Sequence, residues 1–241
     1  MNLVIDIGNT RSKLAVFENH RLVFQETADS QVLNAVRKVM DTYAIRHAIV
    51  CNVSQFQPEL MTVLEAEISV FQLTWESIVP FQNAYQTPKT LGVDRMALVS
   101  GAVAQFPNRA VLVIDAGSCI TYDFKTADEV YAGGAISPGI KMRYAALANQ
   151  TQNLPHLKKE IPATAYGTST SSSIHSGIVH GVCHEINGFI NHYRRQSENL
   201  TVILTGGDAD FLSKTIKNGI FADSNLLLKG LNTILALNLT E

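Results

Sequence analysis

Three aspartates stand where carboxylates could work on a phosphorylated ligand. Asp6 ends the apolar run Leu3-Val4-Ile5 and is followed by Ile7-Gly8-Asn9-Thr10; Asp115 ends Leu112-Val113-Ile114 and is followed by Ala116-Gly117-Ser118. A carboxylate at such a turn can hold a cation, while the amides after a glycine and the nearby hydroxyls can bind phosphate oxygens. The third, Asp94, follows Gly92-Val93 and precedes Arg95. A carboxylate placed there can accept the proton of a substrate hydroxyl as it attacks phosphorus, and arginine offers a forked donor to a substrate carboxylate. Plainer readings exist for each: an N-cap for Asp94, an ion pair for Asp94 and Arg95, and ordinary strand-ending turns for the other two.

The elements needed to position these groups are legible. Residues 3 to 8 (Leu-Val-Ile-Asp-Ile-Gly) and 112 to 117 (Leu-Val-Ile-Asp-Ala-Gly) are one phrase stated twice. Each copy reads as a buried strand, a tight turn at glycine and a returning strand: Lys13 to Phe17 in the first, Ile120 to Phe124 in the second. A single copy is explained by turn chemistry; the repeat points to a duplicated device, two tips facing each other across a cleft. The first half reads β-β-β-α-β-α-β: a third strand at Leu22 to Gln25, a helix over 30–43, a strand at His47 to Val53, a helix opened by Pro58 and reaching Glu67, and a strand from Ile68 to Leu73. The second half starts again at Ala110, with strands to Lys125 and from Glu129 to Ala132. Helices are predicted from Pro138 to Asn149, Ser171 to Tyr193, Ala209 to Lys217 and Leu231 to Leu237. Between them lie a strand at Val202 to Thr205 and an extended piece at Asn225 to Leu228. The fold class expected is α/β: a duplicated actin-like (ribonuclease H-like) fold, two mixed sheets flanked by helices, halves at 1–108 and 109–241, and a ligand cleft between them.

Composition narrows the partners. With 46% hydrophobic residues in 241, the chain can bury a sizeable core, and 19 basic against 21 acidic residues leave no electrostatic footprint for nucleic acid or a membrane surface. No signal peptide or membrane span is read, so a cytoplasmic location and a small-molecule partner are expected. Cys51, Cys119 and Cys183 form no metal or disulfide pattern and read as small buried hydrophobes, although Cys119 adjoins the second tip. His180 and His184 stand one helical turn apart next to Glu185, but away from the apolar stripe and with no evident third ligand; a solvated or subunit-facing pair is the reading for them. The lone Trp75 reads as packing rather than a base-stacking platform.

Five motifs occur in an order that resembles the type III pantothenate kinases: Asp6-Ile7-Gly8-Asn9-Thr10, Tyr85 to Arg95, Asp115-Ala116-Gly117-Ser118, Gly133 to Gly139, and Thr205-Gly206-Gly207-Asp208. The resemblance runs the length of the chain. It implies ATP-dependent phosphorylation of the primary hydroxyl of pantothenate to 4'-phosphopantothenate, the first step of coenzyme A biosynthesis. By the same resemblance Asp6, Ile7, Gly8, Asn9, Thr10, Arg11, Ser12 and Lys13 cradle the ATP phosphates, with Asp6 helping to hold Mg2+. Asp115 holds a monovalent cation, K+ or NH4+, and Ser118 contacts ATP. Tyr85, Gly92, Val93, Asp94, Arg95 and Thr170 bind pantothenate, Asp94 being the general base, and the protein is a homodimer whose pantothenate site is completed at the subunit interface. Such a parts list suffices for phosphoryl transfer, which needs chiefly positioning and charge neutralisation.

The chain departs from the family pattern in two places. Ser118 stands where threonine is usual, and Ser169 where asparagine commonly precedes Thr170. The hydroxyl run 168–173 also reads as a loop and helix cap. Rival functions are another phosphotransferase or a phosphatase on the same fold, which the Tyr85 to Arg95 stretch argues against, and a regulatory protein, which lacks a basic surface here.

Overall fold

A computed structural model describes residues 1–28, 32–54, 58–216 and 218–239. In chain order its elements are β1 (Asn2–Ile7), β2 (Ser12–Glu18), β3 (Arg21–Ala28), α1 (Val32–Thr42), β4 (His47–Asn52), α2 (Pro58–Glu65), β5 (Ser69–Gln72), β6 (Gln82–Asn83) and α3 (Val93–Gln105). They continue with β7 (Val111–Ala116), β8 (Cys119–Lys125), β9 (Val130–Pro138), α4 (Ile140–Gln150), α5 (Thr170–Arg194), β10 (Thr201–Thr205), α6 (Ala209–Ser213), β11 (Phe221–Ala222) and α7 (Leu226–Asn238). The chain divides into two compact units, Met1–Asn108 with Glu129–Tyr131 and Asn225–Glu241, and Arg109–Asp128 with Ala132–Ser224. Both carry mixed α/β structure, with the helices packed on the sheets, the arrangement of the actin-like ATPase fold. Among the described residues no helix is long and apolar enough to cross a membrane.

In the first unit the sheet order is β3-β2-β1-β4-β5, with β1 antiparallel to β2 and parallel to β4. Side chains alternate along a strand, so β1 presents two faces. Leu3, Ile5 and Ile7 pack with α1 and α2, while Val4 packs with Ala15, Ile49, Cys51, Ala97 of α3 and Leu228, Leu231 and Ile234 of α7. Asp6 shares the parity of Val4 and therefore lies on the α3 side.

The piece predicted as extended at Asn225 to Leu228 is instead the start of α7, with Asn225 at its N-cap. Three consecutive leucines show no period, and what decides their conformation is packing: Leu226, Leu228 and Leu231 are fully buried. Two glycines let α3 and α7 touch backbone to backbone. A Cβ at Gly230 would lie 1.8 Å from Ala97 O, and one at Gly101 2.5 Å from Leu226 O. This contact also groups α7 with the first unit rather than with the residues that precede it.

In the second unit the strands run β11-β10-β7-β8-β9, with β7 antiparallel to β8 and parallel to β10. Leu112, Ile114, Tyr122, Val202 and Leu204 face a core filled by α4, α5 and α6. Strand β9 extends to Pro138, past the expected end at Ala132, and its first residues pair in parallel with β6, a two-residue strand too short to show any period. Helix α6 ends at Ser213, short of the expected Lys217, which lies outside the described residues, as do residues 30 and 31 of the first predicted helix.

Candidate active site

The first tip forms as the sequence indicates. Asp6 pairs with Lys13 and Ile7 with Ser12, and the turn closes with Gly8 N–H donating to Arg11 O at 3.1 Å. A Cβ at Gly8 would come within 2.9 Å of that same oxygen, which is why the turn takes glycine. Asn9, Thr10 and Arg11 are exposed and Gly8 and Lys13 half-buried; Ile7 and Ser12 are buried in the strands beneath, so a ligand at this tip would meet mostly their main chain.

Behind the tip Asp6 is 9% exposed. The β1–β4 register sets Cys51 opposite it. Burial pushes the Cys51 thiol well up from its ordinary value, and the nearby carboxylates of Asp6 and Asp94 add to the effect.

Helix α3 brings Asp94 there. Its N-cap is Gly92, not Asp94; Asp94 occupies the second helical position, where the helix dipole favours a negative charge. Asp94 Oδ1 accepts from the Arg95 amide at 2.8 Å, and a Cβ on Gly92 would stand 2.4 Å from that oxygen, so glycine at 92 leaves the carboxylate its space. Arg95 is 5% exposed, its guanidinium 5.7 Å over the Tyr85 ring. Tyr85 in turn stacks on the fully buried Tyr131 (6.0 Å, 18°), so Tyr85, Arg95 and Tyr131 form one layered group. Val93 packs in the same cluster.

The second tip has the same build within its own unit. Asp115 pairs with Thr121, and Gly117 N–H donates to Cys119 O at 2.9 Å. Two further segments close on it. Gly139 donates to Ser118 O at 3.1 Å, and a Cβ there would be 2.4 Å from both Gly117 O and Ser118 O. Gly206, at φ +94°, has room for no Cβ either, since one would fall 2.2 Å from Asp115 Oδ1. Next to it Asp208 donates its amide to Ala116 O and pairs with Lys159. The carbonyls of Ala116, Ser118 and Cys119 thus each accept a main-chain N–H, which fixes the turn that carries Asp115. Ser118 and Cys119 are exposed, which corrects the reading of Cys119 as a buried hydrophobe; Cys51 and Cys183 are buried.

Thr170 opens α5. Ser169 is the N-cap, accepting from Ser172 N–H at 3.2 Å while Ser172 Oγ receives the Ser169 amide at 2.9 Å, so the capping reading of the hydroxyl run holds for these two serines. Thr170 lines a pocket of about 1210 Å³ along α4 and α5, together with Arg143, Leu147, Leu154, Ile174 and Ile178. Further along α5, His180 and His184 are partly or fully exposed, with ring centres 6.5 Å apart, and His180 Nε2 lies 3.3 Å from Thr164 O. Among the described residues no group of three or more His, Cys, Asp or Glu is placed to hold a metal ion. Trp75 is 38% exposed, with Lys89 Nζ 5.3 Å from its ring centre.

Glu185, noticed in the sequence only as a neighbour of these histidines, is the hub of a polar network. It accepts from Tyr122 Oη at 2.8 Å and from Arg143 Nη2 at 2.6 Å. Burial alone would raise its carboxyl, but hydrogen bonds from Arg143, Tyr122 and Ser137 outweigh that and hold it below the usual range. Burial and the Glu185 carboxylate together push the Tyr122 phenol up. Cys51 reads in the sequence only as a buried hydrophobe, and Tyr131 and Tyr122 carry no signal there. Their partners are 45, 46 and 63 positions away, and only strand register or helix packing brings them together.

Comparison with known proteins gives the family. The family model for type III pantothenate kinase matches residues 2–192. The type III pantothenate kinase of Christiangramia forsetii is 48% identical over 245 aligned positions, covering all of both chains; that of Flavobacterium johnsoniae is 45% identical over 237, covering 96% of each. Among solved structures, a Campylobacter jejuni protein described as a Baf family transcriptional activator superposes with a TM-score of 0.63 at 22% identity over 98% of each chain. An inorganic polyphosphate/ATP-glucomannokinase from an Arthrobacter strain superposes at 0.50 with 14% identity, also over 98% of each. These two carry the fold alone. Matched over most of its length by the family model and over 96–100% of its length by relatives nearly half identical, the chain belongs to the type III pantothenate kinase family.

Proposed function

We propose that this chain transfers the terminal phosphoryl group of ATP to the primary hydroxyl of pantothenate, forming 4'-phosphopantothenate at the start of coenzyme A biosynthesis, with Asp94 as general base. The observation that carries the site assignment is that the face of β1 bearing Asp6 packs, through Val4, against Ala97 of α3, the helix whose first turn holds Asp94, so that a cation-binding carboxylate and a candidate base belong to one layer. Asp94 takes the proton of the attacking hydroxyl. Its short contact with the Arg95 amide fixes the carboxylate, and Gly92 leaves that carboxylate the space it occupies. Arg95, held over Tyr85, provides the fork for the pantothenate carboxylate, with Val93 and Thr170 as further contacts.

The tip from Asp6 through Lys13 cradles the phosphates. One carboxylate there suits Mg2+, which is commonly held by one or two carboxylates together with substrate phosphates. Bound with ATP, that ion supplies charge neutralisation on the transferred group. The turn at Asp115 suits K+ or NH4+, and Ser118 contacts ATP. A duplicated fold, a homodimer that completes the pantothenate site, and a cytoplasmic location belong to the same proposal.

The test is phosphorylation of pantothenate by the purified chain with magnesium-ATP, in potassium and again with sodium as the sole monovalent cation. Potassium-dependent 4'-phosphopantothenate is expected. Equal rates in both buffers would remove the cation role of Asp115, and folded protein without product in either would overturn the substrate.

A further inference from the structure

The Arg143–Glu185 pair closes a ring of contacts that begins and ends at Ser118. From Ser118 strand β8 leads to Tyr122, a fully buried residue stacked at 4.0 Å on Phe189 of α5. Tyr122 Oη donates to Glu185 Oε1 at 2.8 Å. The other carboxylate oxygen receives Arg143 Nη2 at 2.6 Å. Arg143 belongs to the first turn of α4, where its amide donates to Gly139 O at 3.1 Å, and its side chain folds back over the helix start. There Nε donates to Pro138 O at 2.8 Å and Nη2 to Ser137 Oγ at 2.7 Å, clamping the junction of β9 and α4. The next residue, Gly139, donates to Ser118 O and lies against the Gly117 and Ser118 carbonyls too closely for any Cβ. Every link of this ring lies in the second unit.

A guanidinium whose fork is spread over a carbonyl, a hydroxyl and a carboxylate has little freedom to turn, and the clamp it forms sits on the turn that carries Asp115 and Ser118. We propose that Glu185 and Arg143 are positioning residues for the Asp115–Ser118 turn, acting through Ser137, Pro138 and Gly139, so that the cation and ATP contacts of that turn depend on their ion pair. The inference rests on the reading of Asp115 and Ser118 given above. It assigns Glu185 a task that its place beside His180 and His184 in the sequence does not show.

Glu185→Gln keeps the shape and removes the charge. Two readouts apply: steady-state constants for ATP, potassium and pantothenate, and, without turnover, the rise in melting temperature produced by potassium with the non-hydrolysable analogue AMPPNP. Removal of a residue that supports a ligand-holding group typically costs at least about tenfold. The ATP KM and the half-saturating potassium concentration are therefore expected to rise about tenfold, and the ligand-induced melting shift to shrink, with the pantothenate KM unchanged. Tyr122→Phe, which leaves the ion pair in place, should move the same constants in the same direction by less, and it carries the test if Glu185→Gln does not fold. Folded variants whose potassium and ATP constants stay at wild-type values, or whose pantothenate KM rises as much as that for ATP, would overturn the proposal. Asp115→Asn, measured in parallel, separates the two levels. If it leaves potassium dependence intact, the reading of the turn fails and the proposal with it; if it weakens potassium and ATP use while Glu185→Gln does not, only the positioning role is lost.

Discussion

Cys51 stands opposite Asp6 across the parallel β1–β4 register. Its environment is dry and flanked by negative charge, so the neutral thiol is the favoured form. Cys183 is also buried and its thiol raised by burial, whereas Cys119 is exposed at the second tip. Reactivity follows thiolate character and access. Titration of the native protein with DTNB should therefore label one cysteine quickly, Cys119, and all three only in denaturant. Fast labelling of Cys51 would show that the pocket around Asp6 opens readily.

Asp94→Asn separates catalysis from stability. General-base removal typically costs about 10²- to 10⁴-fold in rate, while the lost charge at the second position of α3 costs only about 0.5 kcal/mol of helix-dipole interaction. Expected is a collapse of kcat with an almost unchanged urea midpoint. Retained activity would remove the general-base assignment.

The α3–α7 contact makes a prediction about stability alone. Gly230→Ala must push the helices apart, because the new methyl meets backbone at Ala97 rather than a side chain that can swing away. A loss of about 1–3 kcal/mol is expected, as for other overpacked sites. Gly188→Ala on α5, where a Cβ would meet nothing within 4 Å among the described residues, should instead stabilise by about 0.5–1 kcal/mol through helix propensity. Equal effects of the two substitutions in urea denaturation would contradict the backbone contact.

Glu185 predicts a pH dependence. Its carboxyl is held below the usual glutamate range in the folded protein, so folding favours the ionised form. The corresponding stabilisation is complete above the unfolded-state value and is lost as the pH falls through the lowered folded one. The stability difference between wild type and Glu185→Gln should stay constant from pH 8 to 6 and shrink only in acid, below the ordinary glutamate range of about 4.3. A difference that already declines near neutral pH would mean that the carboxylate is not held by Arg143 and Tyr122 as described.

The sequence by itself determined the local devices. Two apolar runs ending in Asp-x-Gly form hairpins because period-two burial and turn chemistry act over a few residues, and both tips close as that chemistry requires. An ordered motif likewise marked Gly92 to Arg95, and the family resemblance marked Thr170; these stand at the starts of α3 and α5. Tertiary structure alone decided the rest. Leu226 to Leu228 became helical because α7 packs against α3 through two glycines, a contact no local period encodes. Cys51 met Asp6 through a parallel register, and Tyr122, Glu185 and Arg143 met through three separate elements. Strand register and helix crossing are settled by burial over the whole unit, so partners 40 or more positions apart leave no signature in the residues between them.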